Sequence, residues 1–235
     1  MSAPHLLIVD PAVEAPEERG EQAVARGWPG PVTVLRPALE PARGPGPGQP
    51  CDAAAVVIMG SAASVHDASG VRPWLGPLAR WLDPLLAPDG RCVPLLGICF
   101  GHQLVAHRAG GSIGYRVDDA APPLRAIVPT HLSGCRLLPG EQALTVVASH
   151  REIVTRPPPG WEVAGRRPDG TLDALQHPRF PFFAVQFHPE AGPEFLARRG
   201  IVPDGDAATS AEEAFADGAR LLEAFRRHAL AARYP

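Results

Sequence analysis

Two amino acids are absent from this chain: its 235 residues contain no lysine and no asparagine, so all 22 basic residues are arginine. Without lysine the chain cannot use a lysine nucleophile or a Schiff base. It also cannot supply the lysine of a phosphate-binding P-loop. A covalent mechanism, if the chain has one, must therefore use another nucleophile.

Cysteine is scarce, and none of the four cysteines belongs to a C-x-x-C pair. We therefore expect no zinc site, and no metal is implied by the sequence. The first residues lack the basic region of a signal peptide, and no apolar run approaches the ~18 residues of a membrane span. We expect a cytoplasmic protein with reduced thiols, in which a cysteine with an unusual neighbourhood is a candidate nucleophile.

The charge balance argues against two classes of partner. Charged residues make up 20% of the chain, and the formal net charge is −3. We therefore expect neither nucleic acid nor a membrane as a partner. Hydrophobic residues make up 45% of the chain, which is enough for a sizeable core. We expect residues 1–235 to form a single domain.

Short buried runs alternate with helical spacing in the first half of the chain. The predicted strands here are His5–Asp10, Val32–Leu35, Ala53–Met59 and Cys92–Ile98. The predicted helices are Glu14–Arg26, Trp74–Leu86 and Gln103–Ala109, with Pro84 marking the end of the second. This alternation predicts an α/β fold, with an open, mainly parallel sheet and helices on both faces, layered as in flavodoxin.

The second half of the chain is richer in strands. The predicted strands here are Leu124–Val128, Leu144–Ala148, Trp161–Ala164 and Phe182–Phe187, which can add antiparallel strands to the sheet. Ser210 and Glu213 have the form of a capping box before the last helix, whose apolar stripe is Phe215, Leu221, Leu222 and Phe225. Residues 37–50 are rich in proline and glycine and predict an irregular loop. No element is assigned to residues 191–209.

The most informative segment is PLLGICFGHQ, from Pro94 to Gln103. It contains a G-x-C-x-G pattern around Cys99, the cysteine form of a nucleophile elbow. Such an elbow turns sharply from a strand into a helix, and glycines on both sides leave room where a Cβ would clash. The helix N-terminus favours a thiolate. The backbone N–H of Phe100 can form half of an oxyanion hole.

A second segment supplies a base and a group to orient it. FFAVQFHPE is a hydrophobic strand that ends in His188, Pro189 and Glu190. In an extended chain, residues i and i+2 face the same side, so His188 and Glu190 can be neighbours. A carboxylate beside an imidazole fixes its tautomer and stabilises the imidazolium. Together with Cys99 these residues predict a Cys-His-Glu triad.

At this point the chain resembles a known family. GICFGHQ and VQFHPE closely resemble the two signature motifs of the class I glutamine amidotransferases. Ala55–Asp67 looks like the oxyanion strand and loop of that family, although Gly60, Ser61 and Ala62 replace its usual Gly-Gly-Pro. Val147–Glu152 is similar to a Ser-His segment in the amidotransferase domain of GMP synthetase.

The resemblance implies hydrolysis of the side-chain amide of L-glutamine without a cofactor. It implies Cys99 as nucleophile, His188 as acid and base, and Glu190 as the group that orients His188. The N–H groups of Phe100 and of the Gly60–Ser61 loop would hold the oxyanion. The resemblance further implies that Gln103, Ser149 and His150 contact the substrate.

Three functions remain open at this stage. The chain can be an amidotransferase subunit that delivers ammonia to a separate synthetase, since it contains neither a G-x-x-x-x-G-K-[ST] loop nor a Ser-Gly-Gly loop for ATP. It can instead be a free-standing hydrolase of γ-glutamyl amides or peptides. A third possibility is an inactive regulatory homologue, which the intact triad disfavours.

Overall fold

The computed structural model describes residues 3–45, 51–67, 70–87, 92–118, 121–140, 142–202 and 207–231. In these residues the strands are β1 (Leu6–Val9), β2 (Val32–Leu35), β3 (Ala55–Ile58), β4 (Leu95–Ile98), β5 (Ser112–Tyr115), β6 (Leu124–Leu132), β7 (Gln142–His150), β8 (Glu152–Arg156), β9 (Glu162–Arg166), β10 (Leu172–Gln176) and β11 (Phe182–Val185). The helices are α1 (Glu18–Ala25), α2 (Leu75–Leu86), α3 (Phe100–Arg108), α4 (Pro193–Arg199) and α5 (Ala207–Ala231).

The strands form a large sheet in the order β2-β1-β3-β4-β11-β10-β9-β6-β7. The first five strands of this order are parallel, and the other four extend the sheet by antiparallel pairing. Strands β5 and β8 form a separate antiparallel pair. The predicted α/β class is confirmed, and so are the antiparallel strands expected from the second half of the chain.

Both faces of the four inner parallel strands, β1, β3, β4 and β11, are covered, because their residues are apolar on both sides, whereas the edge strand β2 is partly exposed. In β1, Leu6 and Ile8 belong to one buried cluster, and Leu7 and Val9 belong to the other. Helices α1 and α5 contribute to the first cluster, and α2 and α3 contribute to the second. This two-sided burial explains the continuous hydrophobic runs that predicted these strands.

The register of two neighbouring strands brings two distant segments of the sequence together. Strands β4 and β11 are parallel, with Ile98 paired to Val185. The backbone N–H of Cys99 donates to the Val185 carbonyl at 2.8 Å. The segments that follow both strands therefore leave the same edge of the sheet, where ligands bind in open α/β folds.

Three predicted helix boundaries need correction, the first being the start of α1, which lies at Glu18 rather than Glu14. Helix α3 begins at Phe100 rather than Gln103, so Cys99 is its N-cap. Pro84 does not end α2, which continues to Leu86. Its buried side chains, among them Trp81 and Leu85, hold the last turn against the core and outweigh the hydrogen bond that proline cannot make.

The predicted capping box is wrong. Helix α5 begins at Ala207, so Ser210 lies inside it rather than at its N-cap. The preceding residues are rich in alanine, the best helix former, and extend the helix upstream. The apolar stripe is confirmed, since Leu221 and Phe225 are buried, and Phe215 and Leu222 pack against the buried clusters.

Several elements were not predicted: β5, β8, β10 and α4, the last within residues 191–209. Residues 46–50 of the predicted proline-rich loop lie outside the described residues, and Pro41–Arg43 forms a single 3₁₀ turn. The missed strands are short and carry polar residues, so their apolar periodicity is weak. In β10, for example, Asp173 and Gln176 are buried polar residues inside a fully buried strand.

Candidate active site

Cys99 stands at a strained turn between β4 and α3. Its φ is +50° and its ψ is −101°, and no other non-glycine residue among those described has a positive φ. A Cβ at Gly97 would lie 2.6 Å from the Gly101 carbonyl oxygen, and a Cβ at Gly101 would lie 2.1 Å from the carbonyl oxygen of Ile58. Both glycines are therefore required for the turn, and strain of this kind is typical of functional sites.

His188 and Glu190 follow β11 and are both buried. The His188 backbone N–H donates to the Val147 carbonyl at 2.8 Å, which ties the segment to β7. The Nδ1 atom of His188 lies 2.8 Å from Oε1 of Glu190, as the i, i+2 spacing predicts. With Nδ1 bound to a carboxylate, the tautomer of the neutral ring is fixed and Nε2 faces the opposite side.

The electrostatics of His188 depend on its two partners. Burial lowers the pKa of this imidazole, but the Glu190 carboxylate and the Cys99 sulfur outweigh burial and raise it to about 10. The side chain of Cys99 also contributes as a hydrogen-bond partner of His188. The structure thus brings Cys99, His188 and Glu190 into one contiguous arrangement in which the imidazolium form is favoured.

The two segments expected to hold an oxyanion flank Cys99. Phe100 is fully buried and is the first residue of α3, where a backbone N–H has no partner within the helix. A Cβ at Gly60 would lie 2.9 Å from Cε1 of His188 and 3.6 Å from Cβ of Cys99, so this loop approaches both side chains closely. The Ser61 hydroxyl donates to the Pro11 carbonyl at 2.7 Å and accepts the N–H of Ala63 at 3.1 Å. This hydroxyl anchors the loop that the resemblance assigns to the oxyanion hole.

Gln103 lies one turn into α3 and is almost completely buried. Its Nε2 donates to the Glu152 carbonyl at 2.7 Å and lies 3.5 Å from Oε1 of Gln186. Gln103 also lines the cavity that contains Cys99. One of its amide hydrogens therefore fixes the start of β8, which holds Glu152 beside the cavity.

Ser149 and His150 end β7 on the other side of the cavity. The Ser149 carbonyl oxygen lies 3.7 Å from the Cys99 sulfur and 3.4 Å from Nε2 of His188. His150 is buried, and its Nε2 lies 3.0 Å from Nη2 of Arg167. The structure therefore places both predicted substrate contacts beside the nucleophile.

The cavity beside Cys99 has a volume of about 430 Å³, which lies in the usual range for small-molecule sites. It is lined by Cys99 and His188, by Ser61, Gln103, Ser149 and His150 among the other predicted residues, and by several residues that were not predicted. Gly60, Phe100 and Glu190 lie behind this lining. The opening thus gives access to the sulfur and the imidazole.

Sequence reasoning missed the charged residues of the cavity. Glu152 is buried, and its Oε1 accepts the hydroxyl of Ser64 at 2.8 Å. Arg125 and Arg151 also line the cavity, and neither makes an ion pair within the described parts of the chain. The only sequence signal for Arg151 and Glu152 was their position directly after Ser149 and His150.

Arg125 lines the cavity because strands β6 and β7 pair, and no local sequence motif predicts its position. It is paired with Ser149 across strands β6 and β7. Cross-strand partners lie close together with their side chains on one face, so the Arg125 side chain emerges beside Ser149. Twenty-three residues separate the two in the chain, and neither shows a local motif that relates them.

Neither a metal-binding cluster nor a membrane-spanning helix occurs in the described residues. No group of three or more histidine, cysteine, aspartate or glutamate side chains there is placed to hold a metal ion. No helix in the same parts of the chain is both long enough and apolar enough to cross a membrane.

Comparisons with known proteins agree with the geometry. The family model "Glutamine amidotransferase class-I" matches residues 82–197. A GMP synthase (glutamine-hydrolyzing) of Thermus thermophilus is 37% identical over 139 residues, which cover 58% of this chain and 24% of that protein. A GMP synthase (glutamine-hydrolyzing) subunit of Thermococcus kodakarensis is 39% identical over 99 residues, which cover 42% of this chain and 51% of that subunit.

The match to these relatives is partial: the chain spans about a quarter of the first GMP synthase and about half of the second protein. Solved structures match the fold over nearly the whole chain. A glutamine amidotransferase of Thermotoga maritima has a TM-score of 0.75 at 16% identity, with 99% of this chain and 100% of that chain covered. One of Methylobacillus flagellatus has a TM-score of 0.71 at 20% identity, with coverages of 98% and 95%.

Proposed function

The chain belongs to the class I glutamine amidotransferase family, and on that premise we propose that it hydrolyses the side-chain amide of glutamine and supplies the ammonia to a separate synthetase. The observation that carries this proposal is the arrangement at the edge of the sheet. Cys99 has a strained backbone at a helix N-terminus and lies beside the bonded pair of His188 and Glu190. An exposed cavity adjoins the sulfur.

The reaction begins from a thiolate on Cys99 and an imidazolium on His188. The sulfur attacks the γ-carbonyl carbon of glutamine, and the electron pair of the C=O bond moves to oxygen. The N–H of Phe100 and an N–H of the Gly60–Ser61 loop stabilise this oxyanion. His188 then gives its Nε2 proton to the departing nitrogen, ammonia leaves, and a γ-glutamyl thioester remains on Cys99.

Hydrolysis of the thioester completes the cycle. Neutral His188 takes a proton from water, the resulting hydroxide attacks the thioester carbonyl, and glutamate leaves with restoration of the thiolate. Glu190 stabilises the imidazolium in both steps through its contact with Nδ1. The same base thus serves both half-reactions, and no cofactor is needed.

The charges of the cavity suit the zwitterionic end of glutamine. The buried Glu152 carboxylate has a hydroxyl partner in Ser64 and no cationic partner within the described residues, so it binds the α-ammonium. The Arg125 guanidinium, on the strand beside Ser149, binds the α-carboxylate. The γ-amide then reaches the sulfur, which lies near the Ser149 carbonyl.

Exposed apolar side chains at the end of β5 and just after it favour a protein partner. Tyr115 lines the cavity and is 44% exposed, and Val117 nearby in the chain is 64% exposed. Exposed apolar groups at the rim of a site are typical of protein contacts. The relatives carry names of glutamine-hydrolysing synthases, and the chain corresponds to only part of their length. A synthetase that covers this mouth would receive the ammonia directly.

One observation favours a second function. The cavity holds two arginines without an ion pair among the described residues, Arg125 and Arg151, whereas glutamine has one carboxylate. A γ-glutamyl peptide whose amine portion carries a carboxylate would engage both. The chemistry would be unchanged, because only the leaving amine differs.

The experiment is glutamate release from L-glutamine and from γ-glutamylglutamate, with Cys99→Ser as the matched variant. We expect turnover of glutamine to depend on Cys99. A preference for γ-glutamylglutamate that disappears in Arg151→Gln would move the assignment to a peptide hydrolase. A preference of wild type for L-glutamine would instead leave glutamine as the substrate.

Turnover can require a partner protein. Wild type and Cys99→Ser are therefore also treated with a γ-diazoketone analogue of glutamine, which alkylates a competent thiolate. Mass spectrometry should find a single adduct on Cys99. The absence of both turnover and an adduct would contradict the proposal. That result would favour an inactive regulatory homologue.

A further inference from the structure

A buried glutamine contacts the sulfur of Cys99 from inside the protein. Gln186 directly follows β11 and is 0% exposed, so no part of it is open to the cavity. Its Nε2 atom lies 3.8 Å from Sγ of Cys99, a distance at which an amide N–H can donate to sulfur. The backbone N–H of Gln186 donates to the Asp173 carbonyl at 2.9 Å, which ties this residue to β10. The nucleophile therefore has a neighbouring donor that a substrate does not reach.

The direction of the Gln186 amide follows from its other neighbours. The Glu152 carbonyl lies 2.7 Å from the Gln103 amide, and a carbonyl can only accept, so Gln103 presents its Nε2 on that side. The same Nε2 lies 3.5 Å from the Gln186 amide, and the nearer atom of Gln186 must then be the acceptor Oε1. With Oε1 facing Gln103, the Nε2 donor of Gln186 faces the sulfur.

The sulfur of Cys99 has neighbours that favour opposite protonation states. The Ser149 carbonyl oxygen lies 3.7 Å from Sγ, where it can accept the hydrogen of a thiol but repels a thiolate. His188 and Gln186 present N–H groups to the same sulfur and favour the thiolate. A thiolate beside the Ser149 carbonyl therefore depends on these donors.

The two side-chain donors differ in how long they keep their protons. In the proposed reaction His188 gives its Nε2 proton to the departing nitrogen and later takes a proton from water. A primary amide does not ionise at any pH at which an enzyme works, so Gln186 keeps its N–H groups throughout the cycle. Gln186 therefore remains a donor to the sulfur at the stage when His188 has become neutral.

We propose that Gln186 is a catalytic residue whose amide N–H donates to the Cys99 thiolate, and that Gln103 is the positioning residue that orients this amide. The inference rests on the proposed function for the reaction that the thiolate carries out. The contact between the amide and the sulfur does not depend on that reaction. Gln186 touches the reacting atom, whereas Gln103 acts on the sulfur only through Gln186.

The donor acts when the charge on the sulfur changes. In the first half-reaction the electron pair of the thiolate forms the S–C bond, and the sulfur of the thioester is neutral. In the second the C–S bond breaks, its electron pair returns to the sulfur, and the N–H of Gln186 stabilises the thiolate that leaves. No proton leaves Gln186 in either step. The same contact increases the fraction of free enzyme that carries a thiolate.

The test compares wild type with Gln186→Met, which keeps the length of the side chain and removes the donor. Gln186→Glu places an acceptor beside the sulfur, and Gln103→Met removes the group that orients the amide. The matched control is Gln176→Met, because Gln176 is also a buried glutamine, only 2% exposed, and its Nε2 donates to the Gly134 carbonyl at 2.9 Å. Gln176 does not line the cavity, so this variant measures the general cost of losing a buried amide.

The first readout is the ultraviolet absorbance of the thiolate during acidification, without substrate and with Cys99→Ser subtracted. In Gln186→Met the midpoint of the loss should lie about 1 pH unit above that of wild type, a roughly tenfold change in the thiol–thiolate equilibrium. Gln186→Glu should shift it further, Gln103→Met less, and Gln176→Met not at all. An unchanged midpoint in folded Gln186→Met, or an equal shift in Gln176→Met, would overturn the proposal.

The ionisable groups on the elements around the sulfur are the same in all of these variants, so a difference in midpoint reports the amide. These groups are His102, His150, Glu152, His188 and Glu190. Failure of glutamine turnover would contradict the proposed function and leave this readout unaffected.

The second readout is the dependence of kcat/KM for glutamine on pH. In Gln186→Met the acid limb of the profile should move with the absorbance midpoint, and kcat should fall by roughly tenfold with KM within about threefold of wild type. A purely structural role would lower the amount of folded enzyme without moving the profile. A shifted absorbance midpoint with an unchanged profile and unchanged kcat would show that the contact is not catalytic.

Discussion

The parallel and antiparallel halves of the large sheet make different contributions to the site. Strands β4 and β11, from the parallel half, end shortly before Cys99 and His188. Strands β6 and β7, from the antiparallel half, bring Arg125 beside Ser149. The first half thus carries the proposed reacting groups, and the second carries the groups proposed to recognise the substrate.

The two halves differ in how firmly the surrounding core fixes the backbone. The reacting groups are tied to strands buried on both faces, where the backbone cannot shift without disturbing the core. The recognition groups extend from strands with partly exposed faces, where a side chain can change at little structural cost. A single chemistry can therefore be combined with different substrates by changing the antiparallel half alone.

The largest effect on turnover should follow from a substitution in the proposed reacting groups, which the parallel half carries. In Glu190→Gln the carboxylate no longer stabilises the His188 imidazolium, and we expect kcat for glutamine to fall by roughly 10²- to 10⁴-fold. The second oxygen of Glu190 makes no hydrogen bond among the described residues, so the substitution mainly tests the contact with His188. Steady-state kinetics provide the measurement, with Glu162→Gln as a control outside the cavity. A change in KM with unchanged kcat would contradict the assignment.

A smaller effect, of a different kind, should follow from changing a proposed recognition group that directly follows the antiparallel half: Glu152 begins β8, two residues after the end of β7. Glu152→Gln removes the negative charge proposed to bind the α-ammonium, and we expect KM for glutamine to rise about 10- to 100-fold, with kcat much less affected. An analogue that lacks the α-amino group should be insensitive to the substitution. Equal losses for both compounds would show that Glu152 supports the fold of the cavity instead.

The smallest effect concerns stability rather than turnover. Burial opposes protonation of His188, but Glu190 and Cys99 raise its pKa to about 10, above the ordinary value of 6.5. The folded state therefore binds this proton more tightly than the unfolded state. The resulting stabilisation is complete below pH 6.5 and is lost as the pH rises towards 10.

We expect the melting temperature of wild type to decline between pH 6.5 and 10, since each kcal/mol of lost stability lowers the melting temperature by ~2–4 °C for a chain of this size. Glu190→Gln should decline less over the same range, whereas Glu152→Gln should follow wild type. If the melting temperatures of all three proteins fell in parallel with pH, Glu190 would not be the source of the raised pKa of His188.

The sequence alone predicted the α/β class, the strands of the parallel half and the apolar face of α5. These elements have strong apolar periodicity, and Gly97 and Gly101 mark the turn after β4. The proximity of Cys99 to His188 was inferred from two local motifs. The structure brings them together because β4 and β11 pair in register.

The recognition groups could not be predicted in the same way. Arg125 reaches the cavity through pairing across β6 and β7. Arg167 reaches the side chain of His150, which lines the cavity, through a hairpin that includes the unpredicted β10. Such residues have no local signature, because each is ordinary in its own segment and acquires its neighbours only when the sheet forms. The N-terminus of α5 was wrongly placed for the opposite reason: Ser210 and Glu213 have a convincing local pattern, but the helix begins upstream.

The missing side chain of Gly60 has a consequence for how this enzyme can change over generations. A single methyl group there would lie 2.9 Å from Cε1 of His188, while leaving every residue of the proposed triad in the sequence. The loop after β3 and the segment after β11 can therefore drift only together, since a change in one must be matched by a change in the other. A gene duplicate could lose its activity through this one position and still be read as intact by any inspection of its triad.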